Sequence, residues 1–262
     1  LKGIWKYRDL IRLFVRRDIV SQYKQTIIGP FYFAITPIVT TLINMVIFGK
    51  IAKLSTDGTP QFLFYMSGNL IWGYFSTCLS AGKSIFQSNA GLFSRVYFPR
   101  LCVPISQNIS ALFRLFIQIL IFICFYLYFA FKGENNLGVT WNIILLPLLI
   151  LQCSVLGLGT GMFISSFTTK YKDLNFMYNY LIRFWYFISP VVYPLSVIPE
   201  DMRYIASFNP MVAVIETSRF IIFGNSSIQP VYILNSLVTT SILFFLGLLI
   251  FNQVEKTFID TV

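Results

Sequence analysis

Long uncharged, apolar segments alternate along the chain with short segments that carry almost all of its charge. Windows without a charged side chain run over residues 25–49, 58–82, 115–131, 135–169, 184–199 and 220–254. An α-helix needs about 20 mostly apolar residues to cross a hydrocarbon core of about 30 Å. Backbone polar groups in lipid must be paired within the segment, which favours helices over open sheet. The pattern predicts an all-α polytopic membrane protein that forms one domain over residues 1–262.

We place six transmembrane helices in these windows, at about residues 30–49, 61–81, 105–130, 143–167, 175–194 and 231–251. The fourth helix contains Gly157, Gly159 and Gly161, which predict a small-residue face where helix backbones pack closely. Arg114 lies in the first half of the third helix, and we expect its long side chain to reach the inner membrane edge.

Residues 1–28 are predicted to form an amphipathic helix. One arc of its helical wheel is apolar and comprises Ile4, Tyr7, Leu10, Ile11, Phe14 and Val15. The other arc is charged and comprises Lys6, Asp9, Arg12, Arg16 and Arg17. This pattern is typical of an interface helix that lies in the headgroup plane with its basic side towards anionic phospholipid. A solvated cytoplasmic helix is the alternative.

Two connections between the predicted spans have unusual composition. The loop at 83–104 is too polar to cross a membrane but holds the apolar residues Phe86, Leu92, Phe93, Val96, Tyr97 and Phe98. Such a loop favours a docking element for a soluble partner, and a second headgroup-embedded helix is the alternative. The segment 188–230 holds five of the eleven prolines, and its apolar stretches 204–215 and 217–223 are too short to cross.

Proline interrupts helices, and irregular backbone is tolerated in a membrane only where protein or water covers it. We therefore predict a re-entrant hairpin on the outer face at 195–230, between the fifth and sixth spans. A plain extracellular loop is the alternative. Glu216 and Arg219 lie in this segment, three residues apart and so on one helix face.

Composition narrows the class further. Charged residues make up 11% of the chain, against about 25% in soluble domains. The net charge of +10 favours anionic phospholipid and an anionic lipid-linked substrate as partners, rather than nucleic acid. If the N-terminus is cytoplasmic, six spans put fifteen of the twenty Lys and Arg residues on the cytoplasmic side. This bias predicts that both termini are cytoplasmic.

Residues for most catalytic chemistry are missing from the sequence. There is no histidine, and the four cysteines are far apart, so neither a metal site nor a catalytic residue is predicted. Ala81 to Ser84 resembles the end of a phosphate-binding loop, but Thr77 stands where that motif requires glycine. The first, second, fourth and sixth spans lack a carboxylate, which disfavours a channel or an ion-coupled carrier. A membrane-embedded glycosyl- or acyltransferase would need a catalytic carboxylate or histidine at an interface, where only Glu200 and Asp201 stand.

Short motifs then follow one another in a specific order. They are Arg17-Asp18, Tyr23-Lys24, Gly29-Pro30, Pro37, Val96-Tyr97-Phe98-Pro99-Arg100, Pro104, Tyr171-Lys172-Asp173, Ser189-Pro190-Val191, Tyr193-Pro194, Ile198-Pro199 and Phe208-Asn209-Pro210-Met211, with Glu216 and Arg219. In this order and spacing the chain resembles the transmembrane subunit of ABC-2-type exporters, close to permeases for O-antigen, capsule or teichoic acid polysaccharide. Lys172 departs from the arginine usual there, which keeps the charge but loses the bidentate geometry.

The resemblance implies a homodimer in the bacterial cytoplasmic (inner) membrane, with two ABC ATPase subunits bound at the cytoplasmic face. Those ATPases would bind ATP and Mg, so no cofactor is expected in this chain and it is not itself an enzyme. The cargo would be an undecaprenyl-pyrophosphate-linked glycan that moves from the cytoplasmic to the outer side. An ABC-2 permease for a small hydrophobic drug or lipid is the second possibility.

The resemblance also implies roles for particular residues. ATPase docking would involve Lys83, Phe86, Phe93, Arg95, Tyr97, Phe98 and Arg100. Guidance of the lipid pyrophosphate would involve Arg12, Arg16, Arg17 and Lys24. The outer gate would comprise Pro190, Pro194, Pro199, Pro210, Glu216 and Arg219.

Aromatic residues make up 18% of the chain, and their faces can stack on the C–H faces of sugar rings. A long glycan needs a passage that holds it weakly and repeatedly. We expect the substrate channel to be lined by Tyr32, Phe33, Phe48, Trp72, Phe75, Trp185, Tyr186 and Tyr193. Each of these side chains has the alternative of facing lipid or packing between helices.

Overall fold

The computed structural model describes residues 6–24, 31–85, 98–133, 141–170, 173–224 and 228–259. Over these residues the chain is helical and has no strand, as the sequence predicts. The α-helices are α1 (Arg8–Lys24), α2 (Phe31–Asn44), α3 (Gln61–Lys83), α4 (Cys102–Phe131), α5 (Leu146–Lys170), α6 (Leu174–Ile188), α7 (Glu200–Ala206), α8 (Pro210–Phe223) and α9 (Pro230–Ile259). A π-helix at Met45–Ile51 continues α2, and 3-10 turns occupy Trp141–Leu145 and Leu195–Val197.

Four segments of the described chain are long and apolar enough to cross a membrane. They are Tyr32–Ile51, Cys102–Phe131, Asn142–Thr168 and Pro230–Val254, with mean hydropathy from 1.7 to 2.2. Helices α7 and α8 together pass the same test but are bent by 107° at a short break, as in a broken span or a re-entrant loop. The described residues therefore contain four or five candidate spans.

Helix α3 forms the centre of the bundle. Sixteen of its 23 residues are buried, and it packs against α2, α4, α5 and α8. It carries polar side chains such as Ser67 and Asn69, which keep it below the hydropathy of the candidate spans. A helix enclosed by other helices can carry such residues because they bond across the helix interfaces.

Close approach of three helices depends on glycines of α5. A Cβ atom on Gly157 would lie 2.6 Å from the Cβ of Cys78, and one on Gly161 would collide with the Leu79 carbonyl, both on α3. Gly159 faces the other way, where an added Cβ would lie 2.6 Å from the Cα of Phe244 on α9. The predicted small-residue face is confirmed, and it serves two neighbours of α5 rather than one.

Two helix ends differ from the predicted spans. Helix α6 ends at Ile188, six residues before the predicted boundary at 194, because Ser189 adopts an extended conformation ahead of Pro190. Helix α9 continues to Ile259, eight residues beyond the predicted boundary at 251. A predicted span ends where the sequence stops being apolar, but a helix can continue through polar residues. The predicted end of this helix therefore came too early.

Helix α1 has the predicted apolar arc, and part of this arc contacts protein. Ile11 and Phe14 are buried in a cluster with Phe98 and with Cys102 and Val103 at the start of α4. The arginines of α1 on the opposite side are exposed. The charged and apolar faces of this helix are therefore as predicted, and part of the apolar face is used to hold α1 against α4.

Candidate functional site

Two cavities lie side by side along the face of α3 that looks towards α2, α4 and α6. The polar cavity, of about 350 Å³, is lined by Asp18, Ser21, Thr77, Ser80, Ala81, Ser84, Gln107, Ser110 and Arg114. The aromatic cavity, of about 300 Å³, has both rings and polar groups on its wall, among them Tyr32, Phe33, Trp72, Tyr74, Tyr186, Thr36, Thr40, Asn69, Thr77, Arg114 and Gln118. Thr77 and Arg114 belong to both walls, so the two cavities adjoin.

Helical periodicity explains how the sequence builds these walls. The wall positions on α3 include Asn69, Gly73, Thr77 and Ser80, which are spaced by three or four residues and so share one face, and Ser84 follows at the same spacing just after the helix. On α4 the equivalent stripe is Gln107, Ser110, Arg114 and Gln118. The α4 stripe was visible in the sequence as polar residues at helical spacing within an apolar helix, but sequence analysis assigned it no site.

Four of the eight aromatic residues predicted for the channel line the aromatic cavity: Tyr32, Phe33, Trp72 and Tyr186. The Trp72 and Tyr186 rings meet edge to face, with centroids 5.5 Å apart. Both rings line the cavity, so this wall offers aromatic surface on which another ring can pack.

Phe75 and Trp185 lie behind this wall rather than on it. Their rings meet edge to face at 5.0 Å, and Trp72 packs against Phe75 at 5.3 Å and against Trp185 at 6.2 Å. Phe75 is completely buried. These two rings therefore support Trp72 from the core.

Phe48 and Tyr193 lie outside the cavity lining. The Phe48 ring packs against Phe187 with centroids 6.3 Å apart. The Tyr193 hydroxyl donates to the Ile188 carbonyl at 2.8 Å, just after the end of α6. The structure thus brings together six of the eight predicted rings and places these two at the edge of the same helical core.

A buried hydrogen-bond network connects α2, α3 and α6 beside the aromatic cavity. The Asn44 amide donates to the Tyr186 hydroxyl at 2.6 Å and to the Asn69 side-chain oxygen at 3.1 Å. The Tyr186 hydroxyl donates to the same Asn69 oxygen at 3.0 Å, and the Asn69 amide donates to Thr41 at 3.3 Å. This network fixes the Tyr186 ring on the wall. Its members are far apart in the chain, so the network was not predicted from the sequence.

Arg114 was predicted to reach the inner membrane edge, and in the structure it lies among the helices of the bundle. Its side chain lies on the wall shared by both cavities, with the guanidinium carbon 5.0 Å from the centroid of the Phe33 ring. One turn further along α4, the Gln118 amide donates to the Phe33 carbonyl at 3.4 Å. The start of α4 packs against α1. Arg114 lies about 18 Å along the helix axis from Cys102, the first residue of α4.

The two charged residues predicted for the outer gate form a buried ion pair. Arg219 and Glu216 approach to 3.0 Å with side-chain exposures of 3% and 4%. The guanidinium also donates to the carbonyls of Pro190 at 2.6 Å and Val191 at 2.8 Å, and it lies 3.7 Å from the centroid of the Phe64 ring on α3. Helix α8 is thereby joined to the loop after α6 and to α3.

The four predicted gate prolines mark helix boundaries. Pro190 follows the end of α6, Pro194 precedes the 3-10 turn, Pro199 is the N-cap of α7, and Pro210 is the first residue of α8. Proline suits a first helical position because its missing N–H would have no partner there. The Asn209 side chain caps α8 by accepting from the Met211 N–H at 3.1 Å.

The residues predicted to dock an ATPase are only partly described. Phe86, Phe93, Arg95 and Tyr97 lie outside the described residues. Lys83 places its ammonium 3.8 Å from the centroid of the Tyr178 ring. Phe98 and Arg100 are 6% and 8% exposed. The three described side chains therefore contact this chain itself, and Arg100 does not present its charge on an open surface.

The arginines predicted to guide a lipid pyrophosphate differ in their surroundings. Arg12 lies 3.6 Å from Asp9 in an exposed pair, and Arg16 is also exposed. Arg17 pairs with Asp18 at 2.8 Å, at the rim of the polar cavity. The side chain of Lys24, the fourth predicted residue, lies outside the described part of the structure. Of the three described arginines, Arg16 is thus the one whose removal disturbs the fewest described contacts.

Comparison with known proteins gives a consistent result. Residues 9–223 match the family described as "ABC-2 type transporter". The chain is 23% identical over 225 residues to the "O-antigen export system permease protein RfbA" of Myxococcus xanthus, which covers 85% of this chain and 84% of that protein. A Klebsiella pneumoniae protein of the same name is 23% identical over 252 residues, covering 96% and 94%. The "Polysialic acid transport protein KpsM" of Escherichia coli is 25% identical, covering 94% and 93%.

Proposed function

The chain belongs to the ABC-2 type transporter family, and we propose that it is the permease of an ATP-driven exporter that moves a lipid-linked, O-antigen-like polysaccharide out of the cytoplasm. The observation that carries the proposal is the aromatic cavity that adjoins a polar cavity across five helices. The relatives named for O-antigen export and for polysialic acid transport support polysaccharide as the cargo class.

The wall of the aromatic cavity suits a sugar chain. Tyr32, Trp72 and Tyr186 offer ring faces for the C–H faces of pyranoses, while Gln118 offers a polar group for hydroxyls. Such contacts are individually weak, so successive sugars can exchange on the wall without being trapped. A second copy of the chain would complete the passage, because this wall belongs to one protomer.

The membrane arrangement that fits this role has six crossings. They are α2 with its π-helical extension, α3, α4, α5, α6 and α9. Helix α3 is about 34 Å long and is shielded by its neighbours, so it needs less hydrophobicity than the four candidate spans. Helix α6 is about 22 Å long, and the bent pair α7–α8 would return beside it as a re-entrant outer hairpin. Both termini would then be cytoplasmic, with α1 at the inner interface.

The energy for export would come from another subunit. ABC-2 permeases work with an ABC ATPase, and we propose that two ATPase subunits, which bind ATP and Mg, dock at residues 83–104 of a homodimer. Anionic phospholipid would surround the basic side of α1. An undecaprenyl-pyrophosphate-linked glycan would enter near the polar cavity, pass the aromatic cavity and leave beside the α7–α8 hairpin.

Complementation tests the proposal. The chain and its own ATPase are expressed in a bacterium whose O-antigen permease has been deleted but whose glycan synthesis is intact. Polysaccharide is then quantified on the cell surface with a glycan-specific antibody. The proposal predicts that surface polysaccharide returns only when both proteins are present. Retention of the glycan inside the cell, together with export of a hydrophobic dye, would contradict it and favour the drug or lipid permease.

A further inference from the structure

Arg114 is the only cation on the described walls of the two cavities. It lies about 18 Å along α4 from Cys102 and about 26 Å from Phe131 at the other end, so it sits well within a candidate span. Charged side chains within membrane-spanning segments are costly, and they commonly mark substrate or ion pathways.

The surroundings of Arg114 in this chain do not neutralise its charge. No ion pair to Arg114 is found among the described residues, and its buried Nε has no hydrogen-bond partner there. Asp18 is the acid on the polar cavity wall; its Oδ1 is 2.8 Å from Arg17, and its Oδ2 has no hydrogen-bond partner among the described residues. The contact with Phe33 is a cation–π interaction, which does not replace a counter-ion.

The neighbouring polar groups define what Arg114 can bind. Thr77 and Ser110 already donate their hydroxyl hydrogens to the Gly73 and Ser106 carbonyls. The side-chain amides of Gln107 and Gln118 lie on the same stripe of α4, two turns before Arg114 and one turn after it. The Gln118 amide uses one of its two N–H groups on the Phe33 carbonyl at 3.4 Å. A guanidinium flanked by amide groups matches an oxyanion with several acceptor atoms, such as a phosphate or a carboxylate.

We propose that Arg114, with Gln107 and Gln118, forms an anion-binding subsite where the two cavities meet, and that it takes a phosphate or carboxylate group of the cargo. The inference rests on the proposed export function and deepens it. A single cation gives a site that holds an anionic group on its way through the protein and then releases it. Neutral sugars contact the rest of the wall, so Arg114 acts on the charged part of the cargo.

Binding measurements on the permease–ATPase complex in lipid nanodiscs test the subsite. Two anionic probes are compared with neutral counterparts: farnesyl pyrophosphate with farnesol, and hexagalacturonate with maltohexaose. Wild type should bind at least one anionic probe about tenfold more tightly than its counterpart, as expected for a charge-assisted pair. Arg114→Gln should abolish that preference, while Arg114→Lys should keep part of it.

The matched control is Arg183→Gln, which makes the same change at an exposed position of α6 that lines neither cavity. It should keep the full preference, which shows that loss of an arginine charge elsewhere on the chain does not remove it. Loss confined to farnesyl pyrophosphate identifies the lipid headgroup as the source of the anion, and loss confined to hexagalacturonate identifies acidic sugars. Either result supports the subsite.

A preference that persists in a folded Arg114→Gln complex would overturn the inference, as would a wild type without any preference. Folding is checked by the melting temperature of each complex and by basal ATPase activity. The surface polysaccharide assay separates the two proposals. If wild type exports glycan but Arg114 makes no difference to anion binding, only the subsite fails; if wild type exports no glycan, the proposed function fails.

Discussion

Arg219 on α8 donates a hydrogen bond of 2.6 Å to the carbonyl of Pro190, 29 residues earlier in the chain. The same guanidinium is neutralised by Glu216 at 3.0 Å and is almost fully buried. Helix α8 is therefore held beside the end of α6 by a buried charge whose hydrogen-bond partners are protein groups instead of water. The position of α8 in the bent pair α7–α8 depends on both members of this ion pair.

Arg219→Gln should destabilise the protein strongly. Removing one partner of a buried ion pair costs about 3–5 kcal/mol because the other charge is left without compensation. The apparent melting temperature in detergent should fall by roughly 6–20 °C, given about 2–4 °C per kcal/mol for a chain of this size. Glu200→Gln is the control, since Glu200 forms an exposed pair with Arg203 at 3.7 Å on the same hairpin. A similar effect of both variants would show that the buried pair has no special role.

Gly161→Ala should force α3 and α5 apart. The added methyl group would collide with the Leu79 carbonyl and lie 2.8 Å from the Cα of Gly82, and neither backbone can move alone. Overpacking of this kind costs about 1–3 kcal/mol. Gly73→Ala on α3 is the matched control because its Cβ would meet no atom within 4 Å. Thermal unfolding of both variants in detergent should show a loss for Gly161→Ala only.

Trp72→Leu should slow polysaccharide export while leaving assembly with the ATPase unchanged. Leucine keeps an apolar side chain on the cavity wall but removes the ring face and the edge-to-face contact with Tyr186. Aromatic contacts are each worth about 0.5–1.5 kcal/mol, so we expect export to fall by about two- to tenfold. Phe245→Leu, at a position on α9 that is 64% exposed and away from the cavity, should export normally. Equal rates for both variants would remove Trp72 from the passage.

Arg16→Ala should reduce export without changing the amount of ATPase that co-purifies. Arg16 is exposed on the basic side of α1, where the proposed lipid-linked cargo would first meet the protein. Arg8→Ala is the control on the same helix, since Arg8 is exposed but lies outside the predicted guiding residues. Surface polysaccharide is measured for both variants. Unchanged export by Arg16→Ala would end the guiding role.

The long-range pattern of hydrophobicity was enough to predict the helices and the glycine face of α5. Both depend on properties that are local to one helix: a sustained apolar window, and three glycines at alternate positions. The end of α6 was misplaced because the window recorded only the absence of charge, which continues to residue 199, whereas Ser189 and Pro190 end the helix. The backbone conformation at Ser189 and Pro190, rather than the composition of the segment, therefore sets the end of α6.

The cavity walls were harder to predict because they depend on the rotation of each helix about its axis. Trp72 and Phe75 lie less than one turn apart on α3, yet one lines the aromatic cavity and the other is enclosed in the core. The network of Asn44, Asn69 and Tyr186 joins residues up to 142 positions apart, so no local sequence pattern predicts it. Arg114 is different, because the polar residues around it on α4 recur at helical spacing and this spacing can be read from the sequence.

Reconstitution tests the central claim, that this chain supplies the passage and a separate ATPase supplies the energy. The chain is incorporated into vesicles with lipid-linked glycan, with or without its ATPase, and both nucleotide hydrolysis and glycan transfer across the bilayer are measured. We predict hydrolysis and transfer with both proteins and ATP, and neither activity with the chain alone. ATP hydrolysis by the isolated chain, or glycan transfer without the ATPase, would contradict the account.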